Sequence, residues 1–315
     1  MNAELSVELA PNHKQGLRLT NPVMVASGCF GWGVEYAKLI DIQRLGAIVS
    51  KGTTLRSRKG NPMPRLAETP AGMLNAIGLQ NPGVHRVIRE KAPLWASWRV
   101  PVLVNVAGET VEEFCECAQL LDGVQGVAGI ELNVSCPNVL AGGAVFACDP
   151  TAAAEVTAAV RRSTDLPLMV KLSPNVGDIV SIALAVEEAG ADCISLINTL
   201  LGMKIDIRRR RPFLGNSTGG LSGPAVRPVA LRMVYQVAQA VRVPIVGLGG
   251  ITSIEDALEF LMAGASAVQV GTSLFVDPTT PLRLIDGLAQ FMEQERIPSL
   301  PSLVGAANPR FLGPA

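Results

Sequence analysis

The sequence predicts an α/β fold, specifically a (β/α)8 TIM barrel with an N-terminal β-hairpin cap and insertions at the C-terminal face. Three observations carry this. Eight short apolar or β-branched runs recur along the 315 residues. They are nearly continuous rather than alternating, as parallel strands covered on both faces require. Most are followed by an amphipathic helical stretch, and eight such units in about 250 residues match the size of a closed barrel. A doubly wound open sheet would leave two or more of the runs unexplained.

In chain order, the predicted strands are Val23–Ser27, Ala47–Lys51, Val102–Val106, Gly129–Ser135, Leu168–Leu172, Cys193–Asn198, Pro244–Leu248 and Ala267–Val270. The helices between and after them are Val111–Leu121, Thr151–Ser163, Asp178–Ala189, Val226–Val241, Ile254–Met262 and Pro281–Gln294. Asp149-Pro150 and Ser253 read as helix starts, because a side-chain oxygen there can take up a free N–H of the first turn. Gly190 and Gly264 read as stops. Ahead of the first unit, Leu5–Leu9 and Gly16–Leu19 predict a two-stranded plug over the barrel's N-terminal face. Two connections are long, Thr53 to Arg99 and Thr199 to Val226. Both leave the C-terminal ends of strands, where barrel enzymes build substrate pockets. With no low-complexity linker in between, residues 1–315 read as a single domain.

Composition narrows the function. Basic and acidic residues balance at 27 each, so the basic excess of a nucleic-acid binder is missing. The one local run, Arg208 to Arg211, reads as a solvated loop or a contact with a partner or acidic ligand. No stretch approaches the ~18 apolar residues that span a bilayer, and the N-terminus has no apolar leader-like core. The expectation is a cytoplasmic protein away from membranes, with its six cysteines reduced. Cys115 and Cys117 lie two apart on a predicted helix and point in different directions, so shared metal ligation is not expected. The two histidines, His13 and His85, stand in no zinc-type spacing, so no metal site is expected. The chemistry has to run without histidine.

The predicted strand ends carry an unusual set: Ser27-Gly28, Ser50-Lys51-Gly52, Asn105, Asn133, Lys171, Asn198-Thr199, Gly249-Gly250 and Gly271-Thr272. Gly247 to Gly250, followed by Thr252-Ser253, offers bare N–H groups at a helix start. With Gly271-Thr272 it is the candidate for the phosphate cup that barrels build after strands seven and eight. The alternative is two glycine turns needed only for tight strand–helix corners. Lys51 and Lys171 each end an apolar run and need an anion to offset burial, either an electron-rich ring or a substrate carboxylate. A Schiff-base lysine is the rival use. Asn75, Asn105, Asn133 and Asn198 offer both donors and acceptors, which suits a planar heterocycle such as a pyrimidine or an isoalloxazine. Cys136 follows the fourth predicted strand in Glu131-Leu-Asn-Val-Ser-Cys-Pro-Asn138, just before the Gly-rich segment Ala141-Gly-Gly-Ala144. From position alone it is a nucleophile, an acid/base, a metal ligand or a buried small hydrophobe.

Five motifs together resemble dihydroorotate dehydrogenase. They are Asn75-Ala-Ile-Gly-Leu-Gln-Asn-Pro-Gly83, Glu131 to Asn138, Val170-Lys-Leu-Ser-Pro-Asn175, Asn198-Thr-Leu-Leu-Gly-Met203 and Gly219-Gly-Leu-Ser-Gly-Pro224. The likeness runs from about Leu5 to Ile297 and resembles the cytosolic class I form, B subtype. What it implies is an FMN-containing barrel, one FMN per chain, that oxidises dihydroorotate to orotate in pyrimidine synthesis. It further implies a homodimer core joined to an electron-transfer subunit, in a heterotetramer. That partner would carry FAD and an iron–sulfur cluster and pass electrons to NAD.

The resemblance also implies roles. Cys136 would be the catalytic base, with hydride passing from the neighbouring ring carbon to the flavin. FMN would be held by Ser27, Lys51, Gly52, Asn105, Asn133, Lys171, Ile197, Gly223, Gly249, Gly250, Gly271 and Thr272. Substrate would be bound by Lys51, Asn75, Ala76, Ile77, Gly78, Leu79, Asn133, Asn198 and Thr199. Pro137–Ala144 would be a lid hinged at Gly142-Gly143. The rivals are a fumarate-dependent A-subtype enzyme, an FMN barrel of the dihydropyrimidine dehydrogenase type, and a non-catalytic barrel.

Overall fold

The computed structural model describes residues 4–135 and 146–311. The chain enters through β1 (Val7–Glu8) and β2 (Arg18–Leu19), an antiparallel pair. The first two barrel strands are β3 (Val23–Val25) and β4 (Ala47–Val49). The first excursion then contributes β5 (Leu66–Thr69) and β6 (Gly72–Asn75), followed by the short helices α1 (Val84–Glu90) and α2 (Ala92–Trp95). The central units are β7 (Val102–Val106), α3 (Val111–Leu121), β8 (Gly129–Asn133), α4 (Pro150–Ser163), β9 (Leu168–Lys171), α5 (Ile179–Glu188) and β10 (Cys193–Leu196). The second excursion holds β11 (Leu200–Met203), β12 (Ile205–Asp206), β13 (Arg211–Pro212) and β14 (Thr218–Ser222). The chain closes with α6 (Arg227–Ala240), β15 (Ile245–Leu248), α7 (Ile254–Ala263), β16 (Ala267–Val270) and α8 (Thr280–Gln294).

Strands β3, β4, β7, β8, β9, β10, β15 and β16 pair in that order, each parallel to the next, and β16 returns to β3. The expected closed (β/α)8 barrel is present, with somewhat shorter strands than the apolar runs suggested. Helix starts follow local chemistry. Asp149 accepts from Thr151 N–H ahead of Pro150, Asp178 caps α5, and Ser253 forms a reciprocal capping box with Asp256. Gly264 ends α7 at φ +120, a conformation that favours glycine.

Side chains alternate across a strand, and the barrel interior is layered by that period of two. Leu103, Met169, Cys193 and Ala267 form an inward apolar layer with Met24, Ala47, Val49 and Val246. Leu9, Leu17 and Leu19 pack into the same cluster, so the N-terminal hairpin plugs the end where these strands begin. Two residues further along each of four strands stand Asn105, Lys171, Ser195 and Gln269, all buried. One end of the barrel lumen is thus hydrocarbon and the next layer is polar.

The long excursions are ordered beyond what their sequence suggested. Strands β11, β14, β6 and β5 form a four-stranded antiparallel sheet with its own small core of Ala67, Leu74, Ala76 and Leu214. Both excursions begin just after a barrel strand's C-terminal end, so this sheet stands beside that face. Arg208 to Arg211 lie at the tip of the β12–β13 hairpin, exposed, with the N–H groups of Arg208 and Arg209 donated to Asp206.

Candidate active site

The residues expected at the mouth of the barrel do converge, drawn from the ends of many strands. Ala26 and Cys29, flanking Ser27, lie against Gly271: a Cβ built there would sit 3.5 Å from Ala26 Cβ and from Cys29 Sγ. Thr272 Oγ1 donates to Ser222 Oγ at 2.8 Å, which brings the loop after β16 to the end of β14 and to Gly223. A Cβ on Gly250 would lie 2.7 Å from Gly223 O, and one on Gly249 would lie 3.5 Å from Ile197 Cγ1. Gly223, Gly249 and Gly250 have φ values of +96, +134 and +78, in the region that favours glycine. Among the described residues, no acceptor takes the N–H groups of Gly249, Gly250, Gly271 or Thr272. Four donors on two adjacent loops make an anion cradle.

One part of that expectation is corrected. The N–H groups of Thr252 and Ser253 are not bare; both donate to Asp256 Oδ2, at 2.8 and 3.0 Å. Asp256 caps its own helix and also pairs with Arg227. The cradle therefore consists of the glycine turns rather than the first turn of α7.

The lysines differ from each other. Lys171 is buried as expected, but Lys51 lies past the end of β4 and is only half-buried. Burial holds Lys51 below its usual value of 10.5, opposed by the nearby Glu35 and reinforced by Arg65. It borders a cavity of about 330 Å3 lined also by Trp32, Arg58, Gln80, Asn81 and Pro82. Lys171 already has an anion within the protein, which sequence reasoning missed. Its Nζ stands 3.6 Å from Glu131 Oε2, and Glu131 is wholly buried. The same carboxylate accepts from Asn105 Nδ2 at 2.7 Å, Ser195 Oγ at 3.0 Å and Gln269 Nε2 at 2.9 Å. Glu131, Ser195 and Gln269 were given no role on sequence alone. The available signal was their position two residues after Gly129, Cys193 and Ala267, on the same inward face.

The amides divide by role. Asn105 gives its Nδ2 to Glu131 and leaves Oδ1 as a buried acceptor with no partner among the described residues. That oxygen lies 3.3 Å from where a Gly52 Cβ would be, and Leu79 Cδ2 lies 3.1 Å from the same point. Asn133 Oδ1 accepts from Ser135 N–H at 3.2 Å and stands 3.5 Å from Asn198 Nδ2. Asn75 Nδ2 reaches Gly220 O at 3.3 Å, and Gly220 abuts Thr199. The Ala76–Leu79 segment is held from behind by Asn61, whose N–H donates to Ile77 O and whose Nδ2 donates to Ala76 O. Asn175 performs the same task for Thr199 to Leu201: its Nδ2 donates to Thr199 O, and its Oδ1 accepts from Leu201 N–H. Neither Asn61 nor Asn175 was singled out in the sequence as a support.

Cys136 and the segment Pro137–Ala144 lie outside the described residues, so the base and the lid remain readings of the sequence. Of the cysteines described, Cys117 and Cys193 are buried, and burial pushes the Cys117 thiol up to about 12. Cys29 is pushed up to about 11 by burial, against the opposing field of Lys171. No cluster of three metal-ligating side chains occurs among the described residues.

A scan against protein-family models finds the model described as dihydroorotate dehydrogenase over residues 10–292. The chain belongs to the dihydroorotate dehydrogenase family. Similar curated proteins agree along nearly the whole length. One from Geotalea uraniireducens (strain Rf4) is 55% identical over 303 residues, 96% of this chain and 98% of its own. One from Pelobacter propionicus is 54% identical over 306 residues, covering 97% and 99% of the two chains. One from Anoxybacillus flavithermus is 54% identical over 290 residues, 92% and 91%. All three are named dihydroorotate dehydrogenase B (NAD(+)), catalytic subunit.

The family's flavin, FMN, can be tested against the residues present. The N–H cradle of Gly249, Gly250, Gly271 and Thr272 suits a phosphate, and the unpartnered Asn105 Oδ1 suits a ring N–H donor. The donor set fits.

Proposed function

We propose that this chain is the catalytic subunit of an NAD-linked dihydroorotate dehydrogenase of the B subtype, oxidising (S)-dihydroorotate to orotate. The observation that carries the reading is the convergence, at one mouth of the barrel, of an N–H cradle and a buried amide oxygen that find no partner among the described residues, with a second ring of amides around Thr199. The names of the relatives favour the B subtype over the fumarate-dependent A subtype. Residues 1–315 act as one FMN-binding barrel domain in this reading.

When bound, FMN supplies the two-electron acceptor of the reaction. Gly223, Gly249, Gly250, Gly271 and Thr272 hold its phosphate, while Ser27, Gly52, Asn105, Asn133, Ile197, Lys51 and Lys171 surround the remainder. Lys51 also meets the substrate carboxylate, and Asn75 to Leu79, Asn133, Asn198 and Thr199 orient the substrate ring. Cys136 takes the ring proton on its thiolate. Electrons leave through a partner subunit carrying FAD and an iron–sulfur cluster, with a homodimer of this chain at the core of the assembly. No described helix is long and apolar enough to cross a membrane, and the cytoplasm is the compartment we propose.

The experiment has two arms. The purified chain should take up one FMN and oxidise dihydroorotate with an artificial acceptor; co-expression with the partner should be required for NAD reduction. A cysteine has an ordinary pKa near ~8.5, so the rate should climb with pH as thiolate forms. Cys136→Ala should lose about 10²–10⁴-fold in rate while keeping its FMN. A colourless chain that takes up no FMN would sink the reading. Fumarate reduction by the chain alone would replace the B subtype by the A subtype.

A further inference from the structure

Glu131 is the only carboxylate among the described residues that sits in the polar layer of the barrel lumen, and it is shared by four donors from four other strands. Asn105 and Lys171 address Oε2, at 2.7 and 3.6 Å; Ser195 and Gln269 address Oε1, at 3.0 and 2.9 Å. A carboxylate only accepts, so it dictates how the amide beside it is turned. With Nδ2 of Asn105 committed to Glu131, the amide's Oδ1 is forced to the other side, where it is buried beside Gly52 with no partner among the described residues. The amide is polarised for a donor that none of the described residues supplies. The same carboxylate holds the Lys171 ammonium against the lumen, so the field that Lys171 exerts at the mouth is partly cancelled from below.

We propose that Glu131 is a positioning residue for the flavin: it fixes the amide orientation of Asn105, and it attenuates and aims the charge of Lys171. The inference rests on the FMN reading of this site. Glu131 itself does not touch the reacting atoms; it acts through its two neighbours. Two consequences differ from those of a merely structural carboxylate. Removing its charge releases Asn105 to rotate, which weakens FMN. Removing its charge also leaves the Lys171 ammonium uncompensated, which favours the electron-rich reduced flavin and raises the midpoint potential.

The test compares the wild-type holoprotein with Glu131→Gln and Ser195→Ala. The readouts are the FMN dissociation constant, from quenching of free FMN fluorescence on adding apoprotein, and the midpoint potential of bound FMN by spectroelectrochemistry. Glu131→Gln is expected to weaken FMN about tenfold and to move the potential positive. Ser195→Ala removes a donor only from Oε1 and should leave both readouts near wild type. Unchanged affinity and potential in Glu131→Gln would overturn the proposal, as would equal changes in Ser195→Ala. If Glu131→Gln does not fold, neutron diffraction from the wild-type holoprotein reads the Asn105 amide directly. Deuterons on the Glu131 side are expected, and deuterons on the flavin side overturn the proposal. A wild-type chain that takes up no FMN fails at the earlier step and removes both readings. Normal FMN uptake with an indifferent Glu131→Gln removes only this one.

Discussion

Gly220 and Thr199 are packed so closely that a Cβ built on Gly220 would fall on the Thr199 hydroxyl. The contact joins the middle of β14 to the segment just after β10, and Asn75 reaches the same glycine through its Nδ2. Two of the proposed substrate groups, Asn75 and Thr199, thus meet at one position without a side chain.

Gly220→Ala should displace Thr199 at a cost of about 1–3 kcal/mol, the usual range for overpacking. Steady-state kinetics should show KM for dihydroorotate rising about tenfold, with kcat less affected and FMN content unchanged. An unaltered KM would remove Thr199 from the substrate site.

Gly250→Ala tests the cradle. The residue has φ +78, and a Cβ there would stand 2.7 Å from Gly223 O and 2.9 Å from Arg227 Cβ. The backbone must shift, and with it the N–H groups of the turn. FMN affinity should fall at least about tenfold, the equivalent of ~1.4 kcal/mol, as read by fluorescence titration of apoprotein.

Lys51 gives a pH signature. Its pKa is lowered from 10.5, chiefly by burial, so it becomes neutral at a lower pH than an ordinary lysine. The native state then binds fewer protons than the unfolded chain between the two pKa values, so this group makes stability rise with pH in that window. Binding of an anion runs the other way, because the ammonium that attracts it is lost. Orotate affinity should drop as pH rises through a midpoint below 10.5, and Lys51→Arg should remove that drop. A pH-independent affinity up to 10.5 would separate Lys51 from the carboxylate.

Leu19 tests the plug. It is fully buried in the apolar cluster that closes the barrel's N-terminal end. Truncation to alanine should cost about 2–5 kcal/mol, visible as a lower midpoint in urea denaturation followed by circular dichroism. FMN affinity should be unchanged, since the glycine cradle is built from the strands' other ends.

The barrel was legible because its signal is local. Eight apolar runs of strand length, separated by helical stretches whose ends carry capping residues such as Asp149-Pro150 and Gly264, state their conformation without reference to the rest of the chain. The ring of strand-end residues was legible for a related reason. In a parallel barrel all strand ends of one kind lie on one face, so the residue following each run is placed by topology alone.

What sequence could not supply were the pairings across the lumen and between the excursions. Strands β6 and β14 meet through residues some 145 positions apart, as with Asn75 and Gly220, and nothing in either run names the other. The Thr252 and Ser253 N–H groups looked available until the capping box showed Asp256 using both. Lys171 illustrates the division best. Its place at the inward end of an apolar strand, and its need for an anion, were determined by the sequence through the cost of burying a charge. That the anion is Glu131, held with Ser195 and Gln269 from distant strands, was decided only when the sheet closed on itself. Closure brings together inward-facing side chains whose separation along the chain carries no record of their contact.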